Sequence, residues 1–413
     1  MATATLSTPA RFSATQKKLL LALAAAVGLR MLGLFLVLPV FTLYGLQFTH
    51  SRFLVGFAFG CYGLAMACLE IPLGRLSDRI GRRKVLLIGM SVFSVGSFLC
   101  AAPAWFPPSM RIGELIAARF IQGVGTITST AFAAVADRIP AERRSTAMAV
   151  IGIPIGASFM LGVIGGPFLA DSFGSRFLFV LTGVLGIGSV ILLALFLPYS
   201  APHARAPVRL GEIIRTPAVL ALDVSGFFMN IFMTAFWFNF PLIATVRHHL
   251  KMVQYDEVLI PMLLISGVTM FGFSRGADRG WGRGLGSVAF LILVSSAVLL
   301  FAPAAGGLNP QKLTALFVPG TLFLVGFTAL EPILPSLVSQ AAPSSSYGTA
   351  LGSFQTFQFF GSFAGGAVAG ALAHLPSTYI MTTLTATSLA GCLLMFFGRA
   401  GGRQGRIPMT PGP

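Results

Sequence analysis

Charge is scarce in this sequence. Asp, Glu, Lys and Arg together make up 10% of its 413 residues, against about a quarter in soluble globular domains. A soluble chain of this length must cover its surface with polar groups, so the shortage excludes that class. A bilayer removes the requirement, because lipid-facing surface is apolar. The shortage is deepest on one sign: 12 Asp and Glu stand against 28 Lys and Arg, a net charge of +16. The basic residues sit in short clusters between long apolar runs rather than in one patch or tail. That argues against a nucleic-acid partner and fits loops on one face of a membrane protein. Cysteine is rare as well. Cys61, Cys68, Cys100 and Cys392 each lie inside an apolar run and form no CxxC, so neither a disulfide frame nor a zinc site is indicated. No GxxxxGK[ST] segment occurs, which excludes a nucleotide-driven step by this chain alone. No catalytic Ser/His/Asp set or metal cluster stands out. The chain is therefore expected to be no enzyme and to need no cofactor and no metal.

What is present is apolar sequence in long runs. Hydrophobic residues reach 55% and the mean hydropathy is +0.85. A helix needs about 20 mostly apolar residues to cross a bilayer. That ruler predicts about twelve spans, near 18–47, 53–73, 84–103, 112–136, 145–170, 176–198, 217–246, 257–274, 285–304, 313–339, 347–373 and 377–398. The expectation is an all-α membrane protein in two six-helix bundles, 18–198 and 217–398. A Pro- and Arg-rich linker at 199–216 divides them, and tails at 1–17 and 399–413 flank them. The first apolar run, Leu19 to Phe48, is too long for the core of a cleaved signal peptide and should remain as the first span. Clusters such as Lys17-Lys18, Arg75 to Lys84, Arg138 to Arg144, Arg205 to Arg215 and Arg275 to Arg283 all fall on one side of this topology. The positive-inside bias makes that side the cytoplasm, with both termini there.

The halves also echo each other. GRLSDRIGRR follows the second span, and SRGADRGWGR follows the eighth. Aligning Asp78 with Asp278 pairs Arg75, Arg79 and Arg83 with Arg275, Arg279 and Arg283. A six-helix repeat puts these segments in equivalent places.

Three motifs carry the chemistry. Gly74–Lys84 reads GRLSDRIGRRK; its glycines permit a tight turn, and Asp78 sits among basic residues where a carboxylate can face a helix N-terminus. In the fourth span Arg119, Gln122, Gly123 and Thr126 share one helix face. A guanidinium so placed usually faces the bundle interior or a watery cavity, although snorkelling to the interface is an alternative. The fifth span is glycine-rich, with Gly162 and Gly166 spaced as GxxxG before Pro167.

These segments resemble motifs A, B and, in part, C of the major facilitator superfamily. Ile153 and Ala170-Asp171 depart from the glycines that the antiporter motif C expects. The stretches RMLGLFLVLPVFTLYG, YGLAMACLEIPLGRLSDRIGRRK, LEPILPSLVSQ and YGTALG are similar to those of a bacterial proton-driven exporter in that superfamily. The soluble C-terminal domain of that exporter is expected to be absent here, since the sequence ends about 15 residues after its last span. The resemblance implies the major facilitator fold and secondary active transport. It favours proton-coupled export of small lipophilic or amphipathic solutes by a monomer in a bacterial inner membrane. A facilitator-type importer or uniporter stays open at this point, as does a receptor or scaffold that moves nothing.

The sequence nominates residues for each role. For proton coupling they are Glu331, Arg30 and Arg119, the charges that lie deep in spans. Arg30 falls roughly 18 Å into the first span. Glu331 precedes Pro332 and stands four before Pro335, so the helix is polar there, its carbonyls lacking partners; a structural ion pair with an arginine is the competing role. Glu70 and Asp223, near span ends, rank lower. For the conformational switch the residues are Gly74, Asp78, Arg79, Gly81, Arg82, Arg83 and Asp137, with Asp78 expected to face Tyr347–Gly348. For the substrate cavity they are Gln122, Asn230, Thr234, Trp237, Gln355 and Gln358. The expected partners are a small-molecule substrate, protons and the lipid bilayer.

Overall fold

The computed structural model describes residues 12–139, 143–198, 216–302, 307–342 and 347–397, which contain helices and no strand. The first half consists of α1 (Ala14–Val37), α2 (Phe41–Gly45), α3 (Arg52–Ile80), α4 (Arg82–Cys100), α5 (Arg111–Val124), α6 (Thr128–Arg138), α7 (Arg144–Phe173) and α8 (Ser175–Phe196). The second half consists of α9 (Pro217–Leu242), α10 (Tyr255–Gly276), α11 (Gly282–Phe301), α12 (Thr314–Ala341), α13 (Tyr347–Leu372) and α14 (Ser377–Phe397). The α1–α2 and α5–α6 pairs each form one broken span, so twelve spans result. The expected linker lies outside the described residues except for Thr216, as does the tail 399–413.

Local chemistry sets the boundaries. Ser13 and Gln16 cap α1 reciprocally, each side chain accepting from the other's backbone N–H, so the helix starts at Ala14, inside the stretch expected to be tail. Pro39 has no N–H to continue the first span, which turns at Leu38–Val40 before α2. The span expected to end at residue 73 runs on to Ile80, because nothing in GRLSDRI breaks a helix. The motif is thus two helix ends joined at one residue, Gly81, whose φ of 97° is open to glycine. Its counterpart in the second half is a kink within Ala277–Trp281 at Gly280, with φ 90°.

The fourth span breaks at Gly125–Ile127, against the unbroken helix expected there. The break leaves the first N–H groups of α6 without helical partners. Glu70 of α3 supplies them: its Oε1 accepts from the Ser129 N–H at 2.6 Å, and its Oε2 accepts from the Thr126 hydroxyl. A carboxylate at a helix N-terminus is favourable both as an acceptor and as a charge.

Packing repeats with the period of six spans. In the first half α1 packs on α7 and α8, α4 on α8, and α3 and α4 on α5. In the second half α9 packs on α13 and α14, α11 on α14, and α10 and α11 on α12. The halves meet through two symmetry-exchanged pairs, α3 with α13 and α7 with α10. Such exchange is what a pseudo-two-fold axis between the bundles produces. Small residues make the close approaches. Gly162 and Gly166 lie against Phe35 and Leu36 of α1, and Gly361 and Gly365 lie against Phe227 and Ile231 of α9. The GxxxG pair is accordingly occupied with α1–α7 packing.

The α3–α13 crossing is uneven along its length. Gly56 lies against the backbone of Gly366 and Gly370, and a Cβ on Gly60 would come within 2.6 Å of the Phe363 carbonyl. Arg52 closes this end by donating to the Ala373 carbonyl at 2.7 Å. Gly352 and Gly348 continue the same face of α13 toward the end that carries the basic motif. Among the described residues nothing lies within 4 Å of a Cβ built on either. On α3, Gly74 meets only Ser129 of its own half among the described residues. The helices therefore touch at the far end and part toward the basic end.

Candidate functional site between the two halves

At the basic end, Arg82 is the hub. Its guanidinium pairs with Asp78 one turn back, donates from Nε to Asp137 Oδ2 at 3.0 Å, and reaches the Gly74 carbonyl at 3.3 Å. Ser77 adds a further acceptor for Arg82 and itself donates to the Gly74 carbonyl at 2.6 Å. The Arg82 side chain is 7% exposed and that of Asp137 11%. One cation thus ties the end of α3 to the end of α6. Arg83 reaches away to the Ala194 carbonyl of α8, while Arg79 is exposed. The structure brings Asp78, Arg82 and Asp137 together within the first half. It does not place Asp78 against α13 in this state, since Gly348 is exposed with open space beside it.

Deeper in the first half lie two buried cations. Arg30 of α1 is 0% exposed and Arg119 of α5 is 5% exposed. Tyr62 of α3 stands between them. Arg30 donates to its hydroxyl at 2.6 Å, and the Arg119 guanidinium lies 4.7 Å from its ring centre. Arg30 also faces Met66 and the Phe93 ring, and Arg119 the Phe41 ring. Neither has a carboxylate partner among the described residues. Sequence reading missed Tyr62, although its spacing with Met66 and Glu70 marks one helix face. Glu70 was under-ranked for a related reason. With α3 ending at Ile80, it lies well inside the helix and is wholly buried.

The matching depth in the second half is aromatic. Phe232 and Phe236 of α9 stack on Phe323 of α12, at 5.6 and 3.8 Å between ring centres. Trp237, Phe240 and Phe327 extend the cluster. It reaches across to the first half, where Phe159 of α7 lies 6.4 Å from Trp237 and 6.3 Å from Phe327. Glu331 is one turn beyond Phe327 on the same face of α12, toward the basic end. There the cluster stops, and Glu331 is exposed, with no hydrogen-bond or ion-pair partner among the described residues. The structure does not join it to Arg30 or Arg119. Asp223 is wholly buried near the start of α9, its Oδ2 accepting from Ser353 of α13 at 2.6 Å.

The expected cavity residues separate into two groups. Gln122 is buried, accepting from Arg119 and donating to Ser97 at 2.8 Å. Asn230 and Thr234 are covered by the close approach of Gly361 and Gly365, with Asn230 accepting from Ser362 at 3.2 Å. Trp237 is wholly buried in the aromatic cluster. These four hold helices together in this state, a use that helical spacing alone does not separate from lining a cavity. Gln355 and Gln358 of α13 remain half-buried.

The sequence matches the family described as Major Facilitator Superfamily over residues 23–366. It is 31% identical to the inner membrane transport protein YajR of Escherichia coli (strain K12), covering 84% of this chain and 76% of YajR. Two solved transporters share its fold at low identity. A bacterial homologue of the human lysosomal transporter Spinster, inward-facing and occupied, superposes with a TM-score of 0.72 at 14% identity, covering 94% of this chain and 98% of that one. A D-xylose–proton symporter does so with 0.71 at 15%, covering 92% and 96%. A dozen apolar spans, a six-span packing repeat, the Gly74–Lys84 helix junction and these likenesses agree: the chain belongs to the Major Facilitator Superfamily and is a multi-pass membrane protein for secondary transport, not an enzyme.

Proposed function

We propose that this protein exports small lipophilic or amphipathic solutes in exchange for protons, by alternating access. The observation that carries the reading is Glu331, a carboxylate deep in α12 that is exposed where the halves part and has no cation beside it. In this state it can exchange protons with water. To be enclosed when the halves close, it must either take a proton or meet a cation, because an unpaired ionised carboxylate is costly to desolvate. Two cations lie in the opposite half, Arg30 and Arg119. Proton and substrate then occupy one cavity in turn, which is the coupling exchange requires.

The lysine and arginine bias makes the basic end cytoplasmic, with both termini inside, in a bacterial inner membrane. The state described above is then open to the cytoplasm. In the opposite state α13 swings onto α3, and Asp78, held by Arg82, meets its N-terminus near Gly348, where the helix dipole favours a carboxylate. Gly74, Arg79, Gly81, Arg83 and Asp137 complete this switch, and Gln355 and Gln358 offer polar contacts to the substrate. The working unit is the monomer. The fold does not set direction, since it also serves the D-xylose–proton symporter; the likeness to YajR supports export.

The test is flux in proteoliposomes with a set of lipophilic fluorescent dyes that are anionic, neutral and cationic. Wild-type protein should drive at least one dye against its gradient when a pH difference is imposed. Glu331→Gln should only let that dye equilibrate. If the mutant responds to the pH difference as wild type does, Glu331 is not the coupling residue, and Asp223 is the next to examine.

A further inference from the structure

The first half buries two guanidinium groups, and the mechanism above needs at most one of them for Glu331. Their surroundings are unusual for cations. Arg30 has Tyr62, Met66 and the Phe93 ring around it, and its Nε and Nη1 have no hydrogen-bond partner among the described residues. Arg119 has Gln122 and the rings of Phe41 and Tyr62, and its Nε is likewise unpartnered. Glu70, two turns along α3 from Tyr62, has both oxygens committed to Thr126 and Ser129 of the broken fourth span, and Glu114, five residues before Arg119 on α5, forms no ion pair with it. The two ion pairs among the described residues both belong to Arg82. Buried charges are normally paired, and an orphaned donor on a charged group is costly. Two such groups flanking one phenol form a site short of an anion.

We infer that Arg30 and Arg119, on either side of Tyr62, bind an acid group on the transported solute, so that the substrate class is an amphipathic organic anion. The inference rests on the reading of the space between the halves as the transport path. Tyr62 is half-buried and is the least enclosed member of the trio. Its hydroxyl accepts from Arg30. An entering carboxylate, sulfonate or phosphate takes that place, bridges the two guanidinium groups and fills the open Nε and Nη positions. Arginine suits this geometry, because its planar fork pairs with two oxygens of an oxyanion. Phe159, half-buried in the first half against Trp237 and Phe327 of the second, offers an apolar surface for the body of the same solute.

The experiment titrates the purified full chain with three probes of one shape: naphthalene-1-carboxylate, its neutral carboxamide and the cationic naphthylmethylamine. The carboxylate should bind at least about tenfold more tightly than the carboxamide, as expected for a charge-assisted contact. Arg30→Gln and Arg119→Gln should each remove that preference while leaving carboxamide binding in place, which also reports that the variant is folded. Arg119→Lys should keep part of it. Tyr62→Phe removes only the competing hydroxyl and should tighten the carboxylate without changing the carboxamide. Equal binding of the three probes, no binding of the carboxylate, preference for the amine, or a preference unmoved by both arginine substitutions would overturn the proposal. Titration without a pH difference separates it from the coupling reading: the preference for carboxylate over carboxamide is read at equilibrium, whatever becomes of the response of Glu331→Gln to a pH difference in flux.

Discussion

The two halves share one plan of helix packing and fill it with different chemistry. The interior of the first half is polar and cationic. Arg30 and Arg119 flank Tyr62, Glu70 caps α6, and Ser94, Ser158 and Thr182 donate to carbonyls of neighbouring helices. The interior of the second half is aromatic, with Phe232, Phe236, Phe323 and Phe327 in continuous contact, and its deep charges are the carboxylates Asp223 and Glu331. The motif shows the same divergence. Arg82 gathers two carboxylates in the first half, whereas the aligned position in the second is Gly282 and Asp278 is exposed. A repeat thus conserves what the backbone needs, glycine junctions and small-residue crossings, while side chains at equivalent depths are free to take opposite charge. That asymmetry leaves buried cations in one half and deep carboxylates in the other.

The largest effect should come from the hub of the first half. Arg82→Ala removes the cation that ties Asp78 to Asp137 and should cost about 3–5 kcal/mol, as for other broken ion pairs with a buried member. Asp278→Asn, at the aligned motif position of the second half, should change stability by less than about 0.5 kcal/mol. Unfolding in detergent measures both, and equal losses would remove the distinction between the two motif segments. Next comes the aromatic half. Phe323→Ala empties the stack between α9 and α12 and should cost about 3 kcal/mol, mainly through lost packing contacts, since lipid offers little hydrophobic penalty. A loss under about 1 kcal/mol would show that the cluster collapses to fill the space. The smallest effect concerns where the halves meet. Gly56→Ala places a methyl against the backbone of Gly366 and should destabilise the far-end contact by about 1–3 kcal/mol. Gly352→Ala, on the same face of α13 where the helices part, should be neutral within about 0.5 kcal/mol. Labelling of cysteines introduced at the far end should rise in the first variant and not in the second. The reverse result would mean that the helices part at the other end.

Much of this was readable from residue order. Runs of apolar residues placed the twelve spans, and the glycines and charges of Gly74–Lys84 marked the junction between α3 and α4. Breaks inside spans were less legible. Pro39 signals the turn before α2, but Gly125 is only a weak local sign of the break at Gly125–Ile127, whose freed N–H groups are satisfied by a carboxylate from another helix. The polar residues Asn230, Thr234 and Gln122 look alike on a helical wheel whether they line a cavity or bond to a neighbour. Only the glycine faces opposite Asn230 and Thr234, and the Arg119–Gln122–Ser97 chain, separate these uses.

The sequence by itself determined that this chain lives in a membrane, how many times it crosses and that it consists of two related halves. Those properties follow from hydropathy, length and spacing, all of which are local. Tertiary structure decided which deep charges are paired, where the halves touch and which polar side chains are spent on packing. Ion pairs and helix crossings are set by the distance between residues far apart in the chain. Arg82 and Asp137, 55 positions apart, meet through Nε and Oδ2 at 3.0 Å, whereas Arg30 and Glu70, both buried, form no pair, because Glu70 is already bound to the broken fourth span.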